Sequence, residues 1–195
     1  KLCLVADPAL AGGGDLTGTV EAALAGGVDC LQLRCKDAPE REFLSWALRL
    51  REVTRHHQVP LLVNDRIDLA LACSADGVHL GLTDLPVPVA RRLLGPEACI
   101  GGSAHSLATA RQMEEAGADY LGLGPVFEAR GTKPDAEAPG GLDLLRAVRA
   151  ATDLPLVAIG GIQPANAATV AAAGADGIAV VSALLRSPDP LAPAR

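Results

Sequence analysis

The sequence predicts an α/β chain whose strand–helix units close into a (β/α)8 TIM barrel, with residues 1–195 forming one domain. Three observations carry this reading. Short apolar, β-type runs alternate with amphipathic, helix-type runs from end to end. A small-residue–Asp pattern recurs every second unit, as Val28-Asp29-Cys30, Ala75-Asp76-Gly77, Ala118-Asp119-Tyr120 and Ala175-Asp176-Gly177, marking the second, fourth, sixth and eighth strands. No G-x-G-x-x-G follows the first strand, which disfavours an open dinucleotide-binding sheet.

Taken in order, Leu2–Ala6 is the first strand, and Gly12–Gly14 with Asp15 lead into a helix ending at Gly26-Gly27. Cys30–Arg34 is the second strand. Pro39 to His57 is the longest helix, with Phe43, Trp46, Ala47, Leu50 and Val53 at the i, i+3, i+4 spacing of a buried stripe. Strand Leu61–Asn64, a helix over Ile67–Cys73, strand Gly77–Leu80 and helix Pro86–Leu94 follow, the last stopped by Gly95-Pro96. The second half continues with strand Cys99–Ser103, helix Leu107–Glu115 and strand Tyr120–Gly124. After an irregular loop, Glu128–Gly140, come helix Leu142–Ala151, strand Leu156–Gly160, helix Ala165–Ala173 and strand Ile178–Ser182. An eighth helix has to start near Ala183 and be short, because the tail is Pro-rich.

Composition excludes several function classes. The 195 residues are 49% hydrophobic and 21% charged, with a net charge of −6, so the chain lacks the basic surface that drives nucleic-acid binding. The only aromatics are Phe43, Trp46, Tyr120 and Phe127, too few for a base-stacking platform. The apolar stretch Ala167–Leu185 is cut by Gly174, Asp176 and Gly177, so it reads as two elements rather than a membrane span. Five cysteines with no C-x-x-C pair, four of them in apolar runs, fit reduced core thiols, and Lys1–Pro8 is too short to hold a leader. The expected location is cytoplasmic.

Chemistry in such barrels gathers at the C-terminal ends of the strands. Those ends supply Asp7, Gln32, Arg34, Lys36, Asn64, Asp65, His79, Asp84, Ser103, His105, the Thr132-Lys133 pair, Gly160-Gly161 and Ser182. Arg34 and Lys36 alternate on a core-facing strand, where cationic heads need either an anionic ligand or rim carboxylates. Between them, Cys35 reads as a passive core thiol, although two flanking cations favour a thiolate. Asp65 and Asp84, on adjacent strand ends, either share a divalent cation such as Mg2+ or cap the helices that follow. Gly160-Gly161 and Val181-Ser182 read as a phosphate cradle after strands seven and eight, or as tight turns. His79 reads as a hydrogen-bonded core residue, His105 as structural or proton-transferring, and His56-His57 as surface.

These residues occur in motifs. Gln32-Leu-Arg-Cys-Lys36, Val63-Asn-Asp-Arg66, Gly77-Val-His-Leu-Gly81 with Asp84-Leu-Pro86, Gly102-Ser-Ala-His105, Gly122-Leu-Gly-Pro-Val-Phe127, Thr132-Lys-Pro134 and Gly160-Gly161 stand in one order. From Leu2 to about Leu185 the chain thereby resembles the thiamine-phosphate synthase/TenI superfamily. The resemblance implies a Mg2+-dependent transferase of thiamine biosynthesis that joins hydroxymethylpyrimidine diphosphate to a thiazole phosphate and releases pyrophosphate. It implies Asp65 and Asp84 on Mg2+. Gln32, Arg34, Lys36, Asn64, Ser103 and Lys133 fall on the pyrimidine diphosphate, Ser103 and Lys133 being the catalytic pair. Thr132, Gly160, Gly161, Val181 and Ser182 fall on the thiazole phosphate. The chain departs from the family pattern at Cys35, at Leu82-Thr83 and across Phe127–Lys133. The same resemblance leaves a thiazole tautomerase, or a silent barrel that binds thiamine precursors, as alternatives. Pro125 stands where a tautomerase can carry a catalytic His.

Overall fold

A computed structural model describes residues 1–11, 14–128, 138–187 and 189. Eight parallel strands pair in sequence order and close on themselves: β1 Leu2–Ala6, β2 Cys30–Leu33, β3 Leu61–Asn64, β4 Gly77–Leu80, β5 Cys99–Ala104, β6 Tyr120–Leu123, β7 Leu156–Ile159 and β8 Gly177–Val180. Between them run α1 Leu16–Ala25, α2 Glu40–His57, α3 Ile67–Cys73, α4 Val87–Leu94, α5 Leu107–Glu115, α6 Gly141–Arg149 and α7 Pro164–Ala172. The last helix, α8 Ser182–Leu185, is four residues long, as the Pro-rich tail requires. The fold is the (β/α)8 barrel that the alternation predicts. Boundaries differ from the sequence reading by one or two residues, and a 3-10 turn, Pro8–Leu10, adds to it where the Asp7 carboxylate accepts the Ala9 N–H.

Helix ends follow their local chemistry. Asp15 accepts the Gly18 N–H at the start of α1, and Ser106 and Thr109 form a reciprocal capping box on α5. In α2, Phe43, Ala47, Leu50 and Thr54 form the buried stripe, while Trp46 and Val53 stay partly buried at its edge. Its acidic first turn and basic last turn complement the helix dipole. His57, expected at the surface with His56, instead buries its Nε2.

Strand parity sorts the core into two layers. Leu4, Ala6, Leu31, Leu33, Leu61, Val63, Ile100, Leu121, Leu123, Leu156 and Ala158 face the helices. Cys3, Val5 and Ala179 pack inside the barrel with Cys30, Val157 and Ile159.

The recurring aspartates close the barrel foot. Asp29, Asp76, Asp119 and Asp176 accept the backbone N–H of Leu2, Leu61, Ile100 and Leu156, at 2.6–2.8 Å. Each also binds a cation ahead of the odd strand it clasps, namely Lys1, Arg51, Arg91 and Arg149. Every clasp thus ties the start of an even strand to the start of the preceding odd one. All five cysteines are free thiols. Among the described residues no helix is long and apolar enough to cross a membrane.

Candidate active site

The rim at the C-terminal strand ends carries a chain of charges. Asp7, after β1, is 4% exposed and receives Arg34 Nη1 at 2.6 Å. The rim-carboxylate alternative therefore holds for Arg34: its guanidinium is not waiting for a ligand to be neutralised, although it is held in a fixed direction. Arg34 also lies near enough to Asp65 to stabilise its negative charge. Lys36 corrects the expectation of a buried head, because it is exposed; β2 has already ended at Leu33, so the strand no longer turns that side chain inward.

Asp65 and Asp84 face each other. Burial pushes Asp65 up to about 6, and a hydrogen bond and the negative charge of Asp84 add to it, against the lowering effects of Asn64 and Arg34. Asn64 Nδ2 donates to Asp65 Oδ1 at 2.5 Å, and Gly81 N–H donates to Asp84 Oδ2 at 2.6 Å. The capping alternative fails at both positions. The residues before α3 and α4 are Arg66 and Pro86, and neither helix receives a side-chain cap. Asp65 further holds φ at 65°, a left-handed backbone that a non-glycine residue adopts at a cost. Backbone strain and like charge are thus concentrated on one carboxylate, where a cation would relieve the repulsion. Two facing carboxylates suit Mg2+, which is bound through one or two carboxylates and keeps several other oxygen ligands. Among the described residues no cluster of three or more His, Cys, Asp or Glu side chains is arranged for a metal.

Ser103, at the end of β5, places Oγ 2.9 Å from His79 Nε2, and His79 Nδ1 lies 2.9 Å from Tyr120 Oη. The core reading of His79 is therefore correct, and it also supports Ser103. Gln32 is 7% exposed and lines the same interior. Cys35 is the passive thiol: burial, with the charges of Asp7 and Glu42, pushes it up to about 12 in spite of Arg34, so it is not activated as a nucleophile.

Across the barrel, Gly160 and Gly161 have φ of 101° and 63°. A Cβ on Gly161 would come 2.7 Å from Phe127 Cβ and from the Glu128 carbonyl oxygen, so this turn requires glycine, whether or not it also cradles a phosphate. Asn166 Nδ2 secures the turn at the Gly161 carbonyl, 3.1 Å away. Val181 and Ser182 open α8 directly after β8. Thr132 and Lys133 lie outside the described residues. Tyr120 was not among the candidates read from the sequence. Its signal is an inward-facing aromatic on β6 whose neighbours in the barrel, Gly101 and Gly122, lack side chains.

Together the fold and rim define an enzyme of the (β/α)8 class, with an oriented cation and a facing carboxylate pair over its strand ends. A family model described as thiamine monophosphate synthase matches residues 2–184. The chain belongs to the thiamine-phosphate synthase family. It is 53% identical to a thiamine-phosphate synthase of Chloroflexus aurantiacus over 195 residues, covering 100% of this chain and 89% of that one. It is 52% identical to one of Moorella thermoacetica, covering 100% and 92%. The solved thiamine phosphate pyrophosphorylase of Pyrococcus furiosus superposes with a TM-score of 0.90 at 41% identity, covering 100% of this chain and 91% of that one.

Proposed function

We propose that the chain couples hydroxymethylpyrimidine diphosphate to a thiazole phosphate, forming thiamine phosphate and pyrophosphate, with Mg2+ held by Asp65 and Asp84. The observation that carries this reading is the facing carboxylate pair, one member raised to about 6, next to the guanidinium of Arg34. Such a pair is costly in the absence of a cation and suits a substrate that arrives with a metal-bound diphosphate. When bound, Mg2+ supplies positive charge against the departing diphosphate.

The remaining work falls to the chain itself. Arg34, aimed by Asp7, takes the pyrimidine diphosphate together with Gln32, Lys36 and Asn64; the family motif adds Lys133, which lies outside the described residues. The C–O bond between the pyrimidine methylene and the diphosphate breaks, and its electron pair leaves with pyrophosphate. Ser103 fixes the ring so that the methylene faces the thiazole nitrogen, whose lone pair forms the new C–N bond. Gly160, Gly161, Val181 and Ser182 hold the thiazole phosphate at the opposite side of the mouth, and the family motif adds Thr132, which lies outside the described residues. No covalent nucleophile is needed, so catalysis reduces to positioning and electrostatics. The inert Cys35 is consistent with that.

The test is to incubate the protein with the thiazole phosphate alone and together with the pyrimidine diphosphate, each with and without Mg2+. Pyrophosphate and coupled product appearing only in the complete mixture is the expected result. Conversion of the thiazole tautomer without coupling would replace this reading with the tautomerase.

A further inference from the structure

Below the rim a run of polar groups crosses the otherwise apolar barrel interior. Tyr120 Oη lies 2.9 Å from His79 Nδ1, and His79 Nε2 lies 2.9 Å from Ser103 Oγ. Gln32 lines the same interior beside them. These side chains come from β2, β4, β5 and β6. The space is made for them: a Cβ on Gly101 would overlap the Tyr120 ring, and one on Gly122 would strike the His79 ring. Beneath lies a cavity of about 220 Å³ lined by the thiols Cys3, Cys30 and Cys99 and by apolar side chains.

A neutral imidazole has one donor and one acceptor nitrogen, and the partner of one fixes the role of the other. Burial among these thiols pushes Tyr120 well above its ordinary value, so the phenol keeps its proton. Accepting from His79 would leave the phenol's own proton without an acceptor in this apolar interior, so the O–H donates to His79 Nδ1. His79 Nε2 then carries the hydrogen and donates to Ser103 Oγ, and the Ser103 hydrogen is released to point elsewhere. We infer that Tyr120 is a positioning residue that locks His79 in the Nε2–H tautomer and so makes Ser103 a hydrogen-bond donor to a ring nitrogen of the pyrimidine substrate. Donation runs one way from Tyr120 through His79 and Ser103 into the site, an ordering in which each bond polarises the next. The inference rests on the placement of Ser103 beside the pyrimidine.

The test is long-range proton–nitrogen spectroscopy on histidine-labelled protein at about pH 8, where an ordinary imidazole is neutral. Wild type is expected to show His79 with a bare Nδ1 and a protonated Nε2. Tyr120→Phe keeps the ring but loses that fixed pattern. Its kcat falls about tenfold while KM for the pyrimidine diphosphate moves less than about threefold, because orientation rather than affinity is lost. Cys99→Ala, which loosens the same cavity, leaves the tautomer unchanged. A protonated Nδ1 in wild type overturns the inference, whether or not Tyr120→Phe folds. Unchanged tautomer and kcat in Tyr120→Phe, or the same tautomer loss in Cys99→Ala, overturns it too. Ser103→Ala separates the two levels: full kcat with an intact His79 tautomer removes the substrate role and traces the failure to the placement of Ser103.

Discussion

At the two mouths of this barrel the same side chain is put to opposite uses. The foot has four aspartates, each holding a backbone N–H and a cation. The rim has Asp65 and Asp84 turned toward each other. At the foot, burial raises Asp29, but the Leu2 N–H and Lys1 outweigh it and leave the carboxyl below its ordinary value. At the rim, burial and Asp84 leave Asp65 at about 6. Compensated charge ties the scaffold together, while uncompensated charge creates affinity for something brought from outside. That division matches the general split of barrel folds into a stabilising bottom and a reactive top.

The contrast is most strongly challenged by Asp84→Asn. Pyrophosphate release should fall by at least about 100-fold, the scale on which electrostatic groups at a reacting centre act, while the melting temperature holds or rises because a repulsion is gone. A normal rate would refute the metal assignment. Asp76→Ala should do the reverse, costing about 2 kcal/mol of stability in chemical denaturation by orphaning the buried Leu61 N–H and Arg51, with little loss of turnover per folded molecule.

A smaller effect lies in the pH dependence of the metal-free protein. Asp65 has a folded value above its unfolded one, so the folded state binds the extra proton between about pH 4 and 6. Stability from this group is complete below that window and is lost as pH rises through it. Melting curves should therefore show the loss in wild type, and in Asp84→Asn the slope should flatten. Asp29 runs the other way, its contribution present at neutral pH and lost on acidification. The smallest effect is expected for Asp29→Asn, about 0.5 kcal/mol or less by denaturant titration, because Lys1 is largely solvent-exposed.

Much of this was legible in the sequence because alternation and parity are local properties. The periodic stripe of α2, the short α8 and the rim positions of Asp65, Asp84 and Ser103 all follow from counting along strands and helices. The Asp repeat marked the even strands, but its purpose was hidden, since the N–H that each one clasps lies 15 to 27 residues away. The pairing of Arg34 with Asp7 was similarly hidden, because it depends on β1 and β2 lying side by side in register. Asp65 gave no sign of its left-handed backbone, which is set by how the chain leaves β3. Tyr120 was concealed by its chemistry: one phenol among aliphatic residues reads as filling, and only its distance to His79 reveals a polar task.

The foot clasps divide the barrel unevenly. Each one bolts an odd strand to the even strand after it, giving four two-strand staves. Among the described residues no such carboxylate clasp spans the joints from β2 to β3, β4 to β5 and β6 to β7, while at the β8–β1 joint the Lys1 amino group donates to the Asp176 carbonyl at 3.1 Å beside the ladder. A cask of this kind parts first between staves. Amide protons at the starts of β3, β5 and β7 that face the preceding even strand should therefore exchange with solvent sooner than those inside a stave, long before the whole chain unfolds.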